Sequence, residues 1–336
     1  MMDWFESITG FRELAYPETQ AKLWVEDGRL CSKHSANRYA VGTLETPTLA
    51  DLRGYVSNRN LREGCSRTRV SLITGDARKL HSERQFRGSL FQVASQFNLL
   101  EMVGPSVTPE HGVAGYASDR TQGPACAIAA GAGTIFRNYL VPLDGQLGQT
   151  RSRQIDCLAE VGNALGNPTN SLWTMRNGYA LCTEQGLQQI DRRLEIMTQN
   201  EYDGVRALLQ IGLHWNVQVT DVGEAEQLVS QAYCSALPVA YAQVQRGRWR
   251  RFASLVLEGA YEATLLAGML NAHRGGNNIV LLTRLGGGAF GNEPAWINNA
   301  IARAIRLTRD CGLDIRIVCY GNITPDLQEL VSEFVD

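Results

Sequence analysis

The sequence predicts an α/β protein: a mixed sheet covered on both faces by helices, in three layers, with an N-terminal extension and a helical insertion. Three observations carry this. From residue 69 onward, short β-branched or apolar runs alternate with helical patterns. The helical stretches hold apolar residues at three- and four-residue spacing. A glycine-rich loop also falls between an apolar run and a helix, where sheets of this class place their ligands.

In chain order, strands are expected at 69–74, 89–95, 207–220 (an interrupted run), 231–236, 278–283 and 315–320. Helices are expected at 124–140, 154–165, 184–198, 251–271 and 293–311. The last has Pro294 in its first turn and Arg303, Arg306 and Arg309 toward its end, matching helix-start and dipole preferences. Residues 1–65 differ. They are charged and mixed in period, with Pro17, Pro47 and an Asn/Arg/Gly-rich stretch at 53–64, and read as an accessory N-terminal segment before a domain at 66–336. Residues of about 144–202 follow a Gly/Gln-rich turn and read as a helical insertion.

The 336 residues, 44% hydrophobic and 20% charged, suffice for a sizeable core. Lys plus Arg number 32 against 34 acidic residues, and a net charge of -2 argues against coating nucleic acid or anionic lipid. The N-terminus lacks the basic flank and apolar run of a secretory signal, so the expected location is cytoplasmic. The longest apolar stretch, 252–270, carries Glu258 and Glu262, which argues against a membrane span. Eight scattered cysteines form no CxxC pair and five dispersed histidines no HExxH, so buried thiols and no catalytic metal are expected.

The sharpest local signal is Gly286-Gly287-Gly288-Ala289-Phe290-Gly291-Asn292, ahead of the helix at 293. Four glycines in six residues let backbone amides approach a ligand, and a helix dipole favours an anion there. The plain alternative is a tight strand-to-helix turn. Gly286, Gly288 and Gly291 also match GxGxxG, which leaves an NAD-dependent oxidoreductase open. Against that, only one clear strand follows and it ends in Gly321-Asn322 rather than an acid.

Asp76 follows the strand at 69–74, where a carboxylate can accept from an exocyclic amine or cap a helix. The strand at 89–95 runs into Gln96-Phe97-Asn98, and amides suit ribose hydroxyls. Then Asp119-Arg120-Thr121-Gln122-Gly123-Pro124 enters an Ala/Gly-rich helix, a second N-terminus for a phosphate. Two other stretches, Arg246-Gly-Arg-Trp-Arg-Arg251 and the Asn177-Gly178 turn, read as a surface turn and a hairpin turn or lid.

In this order, Gly75-Asp76-Ala77, the strand ending at Asn98, Thr121-Gln122-Gly123 before the Ala-rich helix, and Gly286 to Gly291 resemble the macrodomain pattern. The late loop is also similar to the GCGAFGN-type segment of microbial poly(ADP-ribose) glycohydrolases. The resemblance covers about residues 69–322 and implies an ADP-ribose ligand, with no cofactor. It implies Asp76 and Ala77 at the adenine and Asn98 at the distal ribose. It also implies Gly123 at the first diphosphate loop, and Gly286, Gly287, Gly288, Ala289, Gly291 and Asn292 at the second, with Phe290 against the distal ribose. Gln122 departs from the usual glycine run and is expected near that ribose.

The paired glutamates of poly(ADP-ribose) glycohydrolases are absent near the first loop, so removal of mono-ADP-ribose from a modified protein is expected rather than chain degradation. Asp119, with Asn98 and Gln122, is the expected catalytic set, because cleavage at ribose C1 needs a carboxyl group to assist the leaving group or orient water. A non-catalytic ADP-ribose reader is the alternative of another class.

Overall fold

The computed structural model describes residues 2–62, 65–221 and 226–334; residues 63 and 64, at the end of the Asn/Arg/Gly-rich stretch, lie outside it. Seven strands form the central sheet: β1 Thr43–Glu45, β2 Arg69–Thr74, β3 Leu90–Ala94, β4 Gly212–Gln218, β5 Leu228–Cys234, β6 Ile279–Leu282 and β7 Asp314–Cys319. Their order is β1-β4-β5-β3-β6-β7-β2. Strands β5, β3, β6, β7 and β2 are parallel, and β4 runs antiparallel between β1 and β5. All five parallel strands therefore end at one edge.

Successive side chains of a strand point to opposite faces, and β3 shows what covers each. Phe91 stacks on His81 of the helix Ala77–Ser82, while Gln92 Nε2 donates to Thr264 of the helix Arg250–His273. The first face carries Ala77–Ser82 and Gln122–Ala129; the second carries Arg250–His273 with Leu49–Asn58 and Pro294–Leu307 packed against it, and Pro325–Ser332 packs on Pro294–Leu307 and β2. This is the three-layer α/β/α arrangement.

The helix Arg250–His273 is apolar on nearly every side because it is enclosed, which is the one setting where such a helix is stable in water. Glu262, inside it, is ionised by company: Arg53 Nε lies 2.6 Å away and Arg303 Nη1 2.6 Å away, holding its pKa down against burial. Arg53 also forks onto Asp203 at 2.7 and 2.9 Å. These pairs tie the N-terminal segment, the insertion's end and two core helices together.

Residues 1–65 reach into the sheet as well as lying beside it. A meander of Leu23–Glu26, Arg29–Ser32 and Ser35–Ala40 stands apart, but β1 pairs with β4, Leu213 opposite Glu45. The interrupted strand expected at 207–220 resolves into the end of a helix, Gln199–Ala207, and then β4, whose register shifts between His214 and Val217 with Asn216 at φ 53°. That bulge is the interruption. The insertion holds the helices Ala159–Ala164 and Glu184–Ile196, but also a hairpin, Trp173–Arg176 with Tyr179–Cys182, turned at Asn177-Gly178. The helix expected at 124–140 breaks instead into Gln122–Ala129, Gly131–Ile135 and a wide turn at Phe136–Leu140. The break falls at Ala130, at φ -111° and ψ 53°, just before Gly131 and Gly133, whose low helix propensity weakens the run there.

Candidate functional site

Where the parallel strands end, a cavity of about 1040 Å³ opens. Its walls are the residues that leave each strand: Gly75 to Arg78 after β2, Ala94 to Gln96 after β3, Ala236 after β5, Thr283 to Leu285 after β6, and Cys319 and Tyr320 after β7. Sheets of this class offer such a crevice because loops diverge there while backbone groups at the strand ends still point outward.

The structure brings most of the predicted residues to this wall: Asp76, Ala77, Asp119, Gln122, Gly123, Gly286, Gly288, Ala289 and Phe290. It does not bring Asn98, Gly287, Gly291 or Asn292. Asn98 is fully buried behind the wall in the turn after β3, its Nδ2 donating to Gln154 Oε1 at 2.8 Å and its Oδ1 accepting from Leu100 N. The expectation that it holds a ribose is therefore corrected: its amide is spent on the turn. Asn292 is likewise internal, donating to the Leu237 carbonyl at 2.8 Å and shaping the loop from beneath.

Gln122 faces the cavity, but its amide clamps the end of β3. Oε1 accepts from Ala94 N at 2.9 Å, and Nε2 donates to the Gln92 carbonyl at 2.9 Å. Both ends of its amide are thus engaged by the strand, while the side chain remains part of the cavity wall. Gly123 is demanded by packing, since a Cβ there would lie 2.0 Å from the Ala94 carbonyl oxygen and 3.2 Å from Glu101 Cγ. With glycine, the helix Gln122–Ala129 presses its N-terminus against the strand end. No side chain caps that helix at Thr121, which leaves its first amides for other partners.

The glycine loop divides its labour. Gly286 has φ 71°, and a Cβ would strike Ala236 at 2.5 Å; at Gly288 a Cβ would meet nothing, because that position faces open space. Gly286 shapes the loop and Gly288 leaves room for a ligand to approach the backbone. Phe290 packs with Tyr179 at 5.3 Å and Tyr241 at 5.6 Å between ring centroids, an aromatic triangle that forms one wall. Tyr179 comes from the insertion hairpin and donates its hydroxyl to the Met102 carbonyl at 2.7 Å.

Of the two carboxylates foreseen in the sequence, Asp76 is a helix cap and Asp119 closes the turn ahead of the helix Gln122–Ala129. Asp76 Oδ1 accepts from Arg78 N at 2.8 Å at the start of its helix, and Asp119 Oδ1 accepts from Thr121 N at 2.8 Å. Arg78 in turn is forked onto Asp221.

A third carboxyl group was not foreseen. Glu101 lines the cavity yet is only 2% exposed, and its Oε2 is buried without a hydrogen-bond partner. Its other oxygen faces Arg137 Nη2 at 3.5 Å. Burial pushes its pKa up to about 7, with Arg137 and Tyr116 pulling the other way. A carboxyl group that holds its proton near neutrality and has one oxygen unused is equipped for proton transfer. Its sequence setting, Leu99-Leu100-Glu101-Met102, gave one signal: a lone acid in an apolar run.

No family model matches the chain, and no curated protein sequence does either. Among solved structures it is similar to poly(ADP-ribose) glycohydrolase from Thermomonospora curvata, at 13% identity over 94% of each chain with a TM-score of 0.44. It is also similar to poly(ADP-ribose) glycohydrolase from Deinococcus radiodurans in complex with ADP-ribose, at 14% identity over 87% of this chain and 91% of that one, TM-score 0.44.

Proposed function

We propose that this protein binds ADP-ribose in the strand-end cavity and hydrolyses the bond at its distal ribose C1, releasing mono-ADP-ribose from a modified protein. The observation that supports this reading best is Glu101, a proton-holding carboxyl group with a free oxygen, in the wall of a cavity that also offers a glycine loop and an uncapped helix N-terminus. Two such backbone sites suit a diphosphate. Asp76 at the β2 end suits the adenine amine, and Phe290 with its two tyrosines suits the apolar face of a ribose.

In the chemistry we propose, Glu101 gives its proton to the leaving oxygen as the C1–O bond breaks. Water attacks C1, and Asp119 accepts the proton that the water releases. The products are free ADP-ribose and the unmodified acceptor group, and exchange with solvent returns both carboxyl groups to their starting states. Catalysis then requires Glu101 protonated, so turnover falls as pH rises above about 7.

The test is direct. Calorimetric titration with ADP-ribose, NAD and AMP in parallel should show saturable binding that favours ADP-ribose. Incubation with mono-ADP-ribosylated protein and, separately, with ADP-ribose polymer should release ADP-ribose faster from the former. Binding that favours NAD would overturn the ligand; release from polymer alone would overturn the substrate. Binding without release from either would leave a reader module.

A further inference from the structure

The side chain that faces Glu101 is itself unusual. Arg137 is completely buried, in the wide turn Phe136–Leu140, and nothing in the proposed reaction uses it. Burying a guanidinium is costly unless its donors and its charge are answered, and here each of its three nitrogens has a partner and its face an aromatic ring. Nε donates to the Leu99 carbonyl at 3.0 Å, Nη2 donates to Thr134 Oγ1 at 3.1 Å, and the plane lies 3.8 Å from the centre of the Tyr233 ring. On Nη1 stands His214 Nδ1 at 3.4 Å, a ring that burial and the adjacent cation keep neutral.

These contacts hold the guanidinium from four elements, so its position does not depend on the carboxylate. The carboxylate is held at arm's length: 3.5 Å between Glu101 Oε1 and Arg137 Nη2 is longer than the 2.7–2.9 Å of a strong charge-assisted hydrogen bond. The other groups facing Glu101 bring no counter-charge. Tyr116, whose hydroxyl accepts from Glu101 N at 2.9 Å, Cys126 and Tyr233 are all buried and neutral, their acidities suppressed by burial. Arg137 is the cation against which Glu101 ionises.

We infer that Arg137 is a positioning residue that receives the charge left on Glu101 when it donates its proton: fixed in advance, close enough to stabilise the carboxylate, and too far to strip the proton beforehand. The role rests on the hydrolase reading above. Preorganised charge of this kind lowers the barrier because nothing has to reorganise as the proton moves. A purely structural arginine would need no carboxyl group with an unpartnered oxygen beside it.

The experiment compares pH profiles of wild type, Arg137→Lys and Arg137→Met. Losing the cation removes an influence that lowers the Glu101 pKa, so the alkaline limb of the Arg137→Met profile should move up by about one pH unit or more, with kcat reduced and KM for the ADP-ribosylated substrate little changed. Arg137→Lys should keep the limb near its wild-type position. An unmoved limb in a folded Arg137→Met protein would overturn the inference while leaving the hydrolase reading intact.

If wild type releases no ADP-ribose, the reading itself fails, and the linkage is then read by carbon NMR of labelled glutamate, assigned through Glu101→Gln. The Glu101 titration should still move upward in Arg137→Met, and a fixed titration would overturn the pairing. If Arg137→Met does not fold, Arg137→Gln, which keeps hydrogen-bond donors and removes the charge, serves in its place. Its limb should move upward, and an unchanged limb would overturn the inference.

Discussion

The two ends of the cavity are built to opposite rules. At the β3 end the groups are charged or polar and fully enclosed: Glu101 lies against the packed entrance of the helix Gln122–Ala129, with Arg137 buried behind it. At the β7 and β2 end, Tyr320 is 83% exposed and Asp76 is a half-buried cap. A desolvated end makes electrostatics strong and titrations abnormal, which suits chemistry. A solvated end grips a ligand through hydrogen bonds and stacking that exchange with water, which suits recognition. The difference shows where a substitution should disturb rate and where only affinity.

The sharpest way to break that division is Glu101→Gln, which keeps shape and removes the proton. Turnover should fall on the order of 100- to 10,000-fold, measured as ADP-ribose release, while calorimetric affinity for ADP-ribose stays within a few-fold. Equal loss of both would erase the distinction. The same variant carries a pH signature. A carboxyl group raised from 4.5 to about 7 in the fold binds a proton on folding, so its contribution to stability declines as pH rises through that window and is flat above it. His81 and His214, buried and neutral with pKa values pulled to about 4 and about 3, act oppositely, adding stability as pH rises toward 6.5. The Glu101 effect is therefore read as a difference: Glu101→Gln should gain stability relative to wild type between pH 5 and 7 in urea titrations.

Gly286→Ala tests the boundary between the ends. A left-handed backbone and a Cβ 2.5 Å from Ala236 should cost about 1–3 kcal/mol and distort the loop, visible as a lower Tm together with weaker ADP-ribose binding. A smaller effect is expected from Asp76→Ala, which removes a helix cap worth about 1 kcal/mol and should weaken ADP-ribose more than ribose 5-phosphate. Smallest of all, Tyr320→Ala should leave Tm unchanged, because the ring is exposed, and alter affinity by a few-fold at most. A change in kcat from either of these last two variants would show that the ends are not separate.

The sequence pointed to residues of the cavity wall far better than to the Glu101–Arg137 pair, for a physical reason. Asp76, Gly123, Gly286 and Phe290 sit at strand and helix boundaries, where residue type reflects local backbone geometry. Glu101 and Arg137 are 36 positions apart and meet only through the tertiary fold, so no spacing rule links them. Asn98 misled because a terminal asparagine on a strand serves a turn as readily as a ligand. The sheet's parallel part was legible from its apolar runs. Strand β1 was not, since three residues paired at an edge carry no period.

Strand β2 pairs with β7 across 245 positions, Arg69 opposite Asp314, and the cavity needs both strand ends side by side. That end of the cavity therefore cannot form until β7 has been made, and until then β2, an edge strand that pairs with β7 alone, is an unpaired, partly apolar strand. Glu13, which accepts from Val113 and Ala114 across some 100 residues, adds a second distant closure behind the loop that leads to Asp119. Contacts of such span form slowly and late. A ligand that bound only where these distant ends are joined would stabilise the joined form, and so favour the folded chain as well as occupy its cavity.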